Sequence, residues 1–229
     1  MNIRFITTTK CCAFQHPEFL LKFDAAIPKG DIDVLTTFLE ESVENGTLYN
    51  EGDLITLGSM LFRVARFDNS LTLEEPDLQS MPIKWRQGVT RSVQLLRLQK
   101  DIAESVSLDD EIDPPSIRCS LLVGSDLMLE DEEFVLDRIK PVDSDSGWFV
   151  GRRDTVLNYD VEASLRRISV YQAIMNWPRI AGFLGLPAGC QVEICGNRSK
   201  ISRNGSTIEI KTGSFMDVLS KSLQRNGLE

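Results

Sequence analysis

The sequence predicts an α+β protein of two mixed domains, each with a mostly antiparallel sheet covered by helices. Strand and helix patterns occur in both halves of the 229-residue chain, but without the regular alternation of a parallel α/β sheet. Turn signals such as Asn204-Gly205 separate short apolar runs and favour hairpins. Hydrophobic residues make up 42% of the chain, which is enough to form a core.

The domain boundary is predicted at an acidic and proline-rich segment, residues 107–115. Its acids end in Pro114-Pro115, and two prolines forbid continuation of a helix and favour an extended chain. We therefore expect an N-terminal acidic domain at residues 1–113, ending in a linker, and a C-terminal domain at residues 114–229.

In the first half, short β-rich runs are interrupted by two segments whose apolar residues recur three or four positions apart. Asp31 is a favourable N-cap for the first helix, and Gly46 ends it. The Asp68-Asn69 turn predicts a hairpin between two later strands. In order, we predict a strand at 19–23, a helix at 31–46, strands at 54–58, 60–64 and 71–73, and a helix at 89–105.

The second half begins with alternating apolar residues that favour strands. Ser169 is a predicted N-cap, and Pro178 suits the first turn of a further helical segment. Two turn signals, Gly196-Asn197 and Asn204-Gly205, predict a terminal hairpin. In order, we predict strands at 117–123, 134–136 and 147–150, helical segments from 169 and from 178, a hairpin of 191–195 with 207–210, and an amphipathic helix from 215 that ends near Gly227.

Charge is distributed unevenly along the chain. The net charge is −9, and residues 1–113 carry 11 basic and 19 acidic residues. Such a surface repels nucleic acid and anionic lipid and attracts basic partners, although acidity also serves solubility. Residues 1–9 lack the apolar run of a secretory signal, and no segment reaches the length of a membrane span. We expect a cytoplasmic protein that binds neither nucleic acid nor membrane.

The five cysteines do not form a spaced disulfide or zinc framework. Cys11 and Cys12 lie near His16, which is the only histidine in the sequence. One alternative is therefore a cysteine-dependent enzyme in which His16 acts as the base. A packed thiol pair beside a turn is the simpler interpretation, because buried cysteine is usually inert. We predict no catalytic residues and no metal site.

Cofactor motifs are also missing from the sequence. Gly182, Gly185 and Gly189 do not match a phosphate-binding glycine pattern. Asp143, Asp145 and Asp154 have the spacing of calcium-loop positions, but Trp148 stands where that loop requires glycine. We predict no cofactor.

The segment from Asp143 to Asp154 is the strongest candidate for a contact site, since it places a large aromatic residue between acids and an arginine pair. Tryptophan and arginine often anchor protein interfaces. The alternative is a surface turn whose tryptophan packs in the core. The predicted partner-binding residues are Asp143, Asp145, Trp148, Arg152 and Asp154, with a second candidate in the acidic turn Glu130, Asp131, Glu132 and Glu133.

Three segments, Asp143–Arg153, Ile168–Ile174 and Phe183–Gly189, resemble immunity proteins of bacterial polymorphic-toxin, contact-dependent and type VI secretion systems. The resemblance is to an Imm33-like group with an Asp-Ser-Gly-Trp motif, here residues 145–148. It implies a small cytoplasmic protein that is not an enzyme. Such a protein binds a cognate toxin and blocks its active site, and a basic toxin would be attracted by the acidic surface of this chain.

Other classes of function remain open from the sequence. A structural adaptor of a secretion or signalling assembly would present a similar surface, as an acidic and soluble chain without cofactor motifs. The cysteine-dependent enzyme is the other alternative. The sequence does not indicate the oligomeric state.

Overall fold

The computed structural model describes residues 2–196 and 198–225. The chain divides into two compact units, Met1–Arg97 and Leu98–Glu229. Four helices and 13 strands in mostly antiparallel sheets lie within the described residues. The predicted α+β class is confirmed.

Unit one contains two antiparallel sheets, and along the chain a helix separates the strands of the first sheet from those of the second. A two-stranded sheet pairs β1 with β2, and a four-stranded sheet has the order β3-β4-β5-β6. Apolar residues of the first helix are buried at three- and four-residue spacing, as predicted. The elements are β1 (Ile3–Thr7), β2 (Leu20–Asp24), α1 (Lys29–Glu44), β3 (Leu54–Leu57), β4 (Met60–Phe67), β5 (Ser70–Pro76), β6 (Trp85–Gln87) and the start of α2 (Thr90–Ser105).

The first turn of α2 is held by a buried carboxylate from β5. Glu75 is 5% exposed, and its side chain accepts hydrogen bonds from the backbone N–H groups of Arg91 (3.1 Å) and Ser92 (2.7 Å). These donors have no partner inside the helix, so the carboxylate satisfies them and complements the helix dipole. Burial raises the pKa of Glu75, and the two N–H groups oppose that rise.

The raised pKa of Glu75 predicts a pH-dependent stability difference. In the folded state this pKa lies above the ordinary value of about 4.3. The folding stability that this raised pKa contributes is therefore fully present below pH ~4.3, and it is lost as pH rises through the pKa of Glu75 in the folded state. We expect the stability of the wild type, relative to Glu75→Gln, to fall across that window. Urea unfolding of both proteins between pH 4 and 8 measures the difference in their free energies of unfolding. A difference that stays constant over this range would contradict the prediction.

Unit two is built on a seven-stranded sheet in the order β10-β7-β9-β8-β11-β12-β13. All neighbours are antiparallel except β7 and β9, which run parallel. A capping box of Ser169 and Gln172 starts α3, which confirms the predicted cap. The elements are β7 (Ser120–Gly124), β8 (Phe134–Arg138), β9 (Asp145–Arg152), β10 (Leu165–Ser169), α3 (Val170–Asn176), β11 (Cys190–Cys195), β12 (Arg198–Arg203), β13 (Ser206–Thr207) and α4 (Phe215–Arg225).

The two faces of this sheet differ in burial. On the covered face, alternate apolar side chains are buried beneath helical segments of unit two: Leu121, Val123, Phe134, Leu136, Trp148, Val150, Val192 and Ile194. On the open face, the side chains in between are partly or fully exposed: Leu122, Val135, Asp137, Phe149, Gln191 and Glu193. Phe149 pairs with Leu122 on one side and with Asp137 on the other, so these three lie in one row across the open face.

The segment predicted as a linker is packed into unit two instead. Leu108 is buried, and residues 109–111 form a short 3₁₀ helix. The Asp113 N–H donates to the carbonyl of Gly185 at 3.0 Å. Gln99, on the second half of α2, donates to the carbonyl of Ala181 at 3.1 Å. These bonds join residues 99–113 to the 181–185 segment, so both belong to unit two, which begins at Leu98.

Several second-half elements differ from the sequence prediction. The partner of β11 is β12, not residues 207–210, and residues 206–207 form the short edge strand β13. Edge strand β10 was not predicted. The helical segment from Pro178 is a pair of 3₁₀ turns, at 178–180 and 183–185. The predicted end of the last helix near Gly227 lies outside the described residues.

Candidate functional site

Trp148 lies in the core and not on the surface. The alternation of β9 turns its side chain to the covered face, where it is 1% exposed. Its Nε1 donates to the carbonyl oxygen of Leu184 at 3.0 Å. The guanidinium carbon of Arg138 lies 5.5 Å from the ring centroid. The prediction that Trp148 anchors a partner is therefore corrected, because a buried ring cannot make that contact in this structure.

Arg138 is a buried cation beside this tryptophan. It is 1% exposed and donates to the carbonyl of Asp113 at 2.6 Å and to that of Leu186. It also pairs with the Asp113 carboxylate at 3.0 Å. Burial lowers the pKa of Arg138, and Asp113 opposes this effect. Because a buried charge is costly without partners, these bonds fix the Asp113 segment against the sheet.

Phe149 is the aromatic residue of β9 that faces outward. Its ring lies on the open face, 5.0 Å from the ring of Tyr159. Tyr159 in turn lies against Gly124 and Gly151, where a Cβ would come within 2.7 Å and 2.6 Å of its ring. The Tyr159 hydroxyl donates to Asp126 at 2.7 Å. Sequence reasoning missed Phe149 and Tyr159, although the strict alternation of a strand places residue 149 opposite residue 148.

A cleft of about 620 Å³ adjoins this face at the start of β9. Its apolar walls include Leu122, Phe149 and two strongly exposed side chains, Ile139 (69%) and Val142 (63%). The predicted residues Asp143 and Asp145 line the same cleft. The cleft therefore combines carboxylates with apolar surface, a combination found at many binding sites.

Gly147 shapes the turn at this cleft. Its φ is 73°, and an added Cβ would overlap the carbonyl oxygen of Ile139. The Gly147 N–H donates to the Asp145 carboxylate at 2.8 Å. Asp145 also pairs with Arg167, which donates to the Ser120 hydroxyl at 2.9 Å. Asp145 is thus a turn-forming residue with a cationic partner, whereas Asp143 is exposed.

The acidic turn at residues 130–133 is largely neutralised by nearby arginines. Three ion pairs join Asp131 to Arg152 (3.6 Å), Glu132 to Arg179 (3.6 Å) and Glu133 to Arg153 (3.4 Å). This explains the arginine pair after the Trp-Phe-Val run, which the sequence alone leaves unassigned. Glu130 and Asp154 are exposed. The turn is consequently less attractive to a basic partner than its sequence indicates.

The predicted contact residues form two groups at opposite ends of β9. Asp143 and Asp145 lie at the cleft, while Arg152, Asp154 and the acidic turn lie at the other end. Seven residue steps of extended chain separate the ends by roughly 23 Å. The three aspartates with calcium-loop spacing do not converge. Among the described residues, no group of three or more His, Cys, Asp or Glu side chains has metal-site geometry.

The cysteine and histidine pattern does not form a nucleophile and base. His16 is buried, with Nδ1 at 2.7 Å from the carbonyl oxygen of Pro17 and Nε2 accepting from the Tyr49 N–H at 3.0 Å. Both ring nitrogens are therefore engaged by the backbone. Burial raises the pKa of Cys11 to about 11, and a hydrogen bond with Glu18 raises the pKa of Cys12.

We expect Cys11 to resist alkylation. With a pKa of about 11, only about one Cys11 side chain in a thousand is a thiolate at pH 8. Alkylation is slow because the thiolate is the reactive form. Iodoacetamide should leave the tryptic peptide 11–22 unlabelled in a Cys12→Ser variant and label it in Cys11→Ser, where the exposed Cys12 remains. Mass mapping over time measures both rates. Faster labelling in the Cys12→Ser variant would support an activated Cys11 thiol.

Comparison with known proteins finds a family model that matches part of the second unit. Residues 98–203 match the Imm33-like domain, a little under half of the chain. The match starts where unit two starts and includes the open face and the cleft. No curated protein and no solved structure matches the chain. Within the described residues, no helix is both long and apolar enough to cross a membrane. Residues 98–203 of this chain are therefore similar to the Imm33-like domain, which is an immunity-protein-like domain.

Proposed function

We propose that this protein is a cytoplasmic immunity protein that binds a cognate antibacterial toxin and neutralises it by covering the toxin's active site. The match of residues 98–203 to the Imm33-like domain is the observation that carries the proposal. Immunity-protein-like families are generally non-enzymatic, which agrees with the engaged nitrogens of His16 and the raised pKa of Cys11. The toxin belongs to a polymorphic-toxin or type VI secretion system.

The open face and its cleft are the proposed contact surface. Leu122 and Phe149 are half-buried on the open face, and they contribute apolar surface to a face that also carries charged residues. Ile139 and Val142 extend this apolar area at the cleft. Partly exposed aromatic residues at the centre of such a patch are the usual anchors of a protein interface.

Two carboxylates on this surface favour a basic partner, although the cleft is also lined by the exposed Lys140. Asp137 lies beside Phe149 on the open face, and Asp143 lies at the cleft. Neither forms an ion pair within the described part of the chain, in contrast to the acidic turn. A lysine or arginine of the toxin could pair with Asp137 while contacting the Phe149 ring. Attraction by unpaired acids would speed the encounter of the two proteins.

Co-expression with a candidate toxin, chosen from the proteins encoded next to this chain, tests the proposal. We expect bacterial growth to stop when that toxin is induced alone and to continue when this protein is present. A matched strain that produces a scrambled sequence controls for expression load. Toxin-induced growth arrest despite abundant folded protein would contradict the proposal.

A further inference from the structure

The loop that joins β9 to β10, residues 153–164, is anchored on the open face by Tyr159. The Tyr159 ring lies against Gly124 and Gly151, which are neighbours on the parallel strands β7 and β9, one position after a registered pair. Neither glycine has a positive φ, so the ring, and not the backbone conformation, requires them. Glycine is unfavourable in a strand and often marks the close approach of another group. The sheet is therefore shaped to receive this ring.

Hydrogen bonds hold the β9–β10 loop around the same tyrosine. The Tyr159 hydroxyl donates to Asp126 Oδ1 at 2.7 Å and accepts from the Arg152 N–H at 3.0 Å. Thr155 Oγ1 donates to the other oxygen of Asp126 and accepts from the Leu157 N–H at 3.0 Å. Because the loop is already held in a defined conformation, it would lose little conformational entropy when a partner binds.

The anchored loop leaves apolar side chains in solvent. Val156 is fully exposed, Val161 is 49% exposed and Leu157 is 37% exposed. The bonds to Asp126 and the seat of Tyr159 hold the loop without covering these side chains. Single exposed apolar residues are common, but several on one rigid segment indicate a protein contact site.

Acidic residues flank the apolar ones along the β9–β10 loop. Asp154, Asp160 and Glu162 are exposed, and none forms an ion pair within the part of the chain that the structure describes. Residues 154–164 contain no lysine, arginine or histidine. The acidic turn differs, because three of its acids pair with arginines. The loop therefore complements a partner surface that is apolar at its centre and basic at its edge.

We infer that the β9–β10 loop is a preformed contact element for the cognate toxin, with Val156 and Leu157 against an apolar patch and the loop acids against surrounding basic residues. Tyr159 is a positioning residue, because it holds the loop in place. Its ring lies 5.0 Å from that of Phe149, so the loop continues the open face. The inference rests on the proposed function and adds a contact region outside the open face and the cleft.

Titration of the purified toxin that arrests growth in the co-expression assay tests the inference. Val156→Lys removes apolar surface and adds a charge that repels a basic partner, so binding should weaken by about tenfold or more. Because Val156 is fully exposed, the free energy of unfolding should not change. Thr212→Lys adds the same charge at an exposed position outside the loop, and this matched control should bind as the wild type does.

Tyr159→Phe tests the positioning role. It keeps the ring on the two glycines but loses the bond to Asp126, so hydrogen exchange at the Leu157 N–H should become faster. Toxin binding should weaken by about threefold to tenfold, the effect of one hydrogen bond. In a Val156→Lys background the same substitution should weaken binding less, because the contact that it positions is already lost. A purely structural role would change stability and leave toxin affinity unchanged in both backgrounds.

The possible negative results are distinguishable. If the wild type binds and neutralises the toxin while Val156→Lys binds it equally tightly, the inference is overturned and the proposed function stands. Equal weakening by Tyr159→Phe in both backgrounds would overturn the positioning role. Absence of toxin binding by the wild type would overturn the proposed function and the inference together.

Discussion

Trp148→Ala is expected to destabilise unit two by about 3–5 kcal/mol, as for other large aromatic residues removed from a core. The substitution leaves a cavity on the covered face of the sheet, where Trp148 is 1% exposed. It also leaves the Leu184 carbonyl without its donor and Arg138 without its aromatic neighbour. Urea unfolding followed by circular dichroism measures the loss of stability.

Trp148→Phe is the matched control for this prediction. Phenylalanine retains much of the ring volume but not the indole donor. Trp148→Phe should therefore be more stable than Trp148→Ala and less stable than the wild type. If Trp148→Ala were as stable as the wild type, the ring would belong to the surface, and the original assignment of Trp148 as a contact anchor would be restored.

Phe149→Arg is expected to reduce toxin affinity by about thirtyfold or more, the effect of losing a central anchor of an interface. The substitution removes the apolar ring from the open face, and the new guanidinium would pair with Asp137, the carboxylate proposed to bind a basic residue of the toxin. Protection of growth should be lost in parallel. Affinity is measured by titration of purified toxin, and protection by the co-expression assay.

Controls separate this effect from unfolding. Leu122→Arg introduces the same charge next to Phe149 and should have the same result. Thr212→Arg introduces it at an exposed position outside the sheet and should have no effect on affinity. If all three variants protect cells as the wild type does, the open face is not the contact surface.

The long helices and the central strands were predictable because the spacing of their apolar residues in the sequence matches the spacing of their buried positions in the fold. Helix α1, predicted at 31–46, is observed at Lys29–Glu44, and α2 begins one residue after its predicted start at 89. Strand β10 was missed because two of its five residues are arginines, Arg166 and Arg167. An edge strand buries little, so its sequence lacks the alternation that identifies a strand.

The sequence pattern singled out the segment that forms β9, but the aromatic residue that it named, Trp148, faces the covered side of the sheet. Gly147-Trp148-Phe149-Val150 predicts a strand, and in any strand Trp148 and Phe149 point to opposite sides. Which side of the strand is covered depends on packing against residues that are distant in sequence. Here the indole of Trp148 donates to the Leu184 carbonyl oxygen on the covered side. The ion pairs of Arg152 and Arg153 with the acidic turn are tertiary contacts too, so the sequence pattern could not reveal them.

The most direct test of the account is a titration of the purified toxin's own activity with this protein. We predict that activity falls linearly to zero at a fixed stoichiometric ratio and returns when the complex dissociates, because the protein acts by covering the toxin. Loss of toxin activity at far below stoichiometric amounts, or a bound complex that stays fully active, would contradict it.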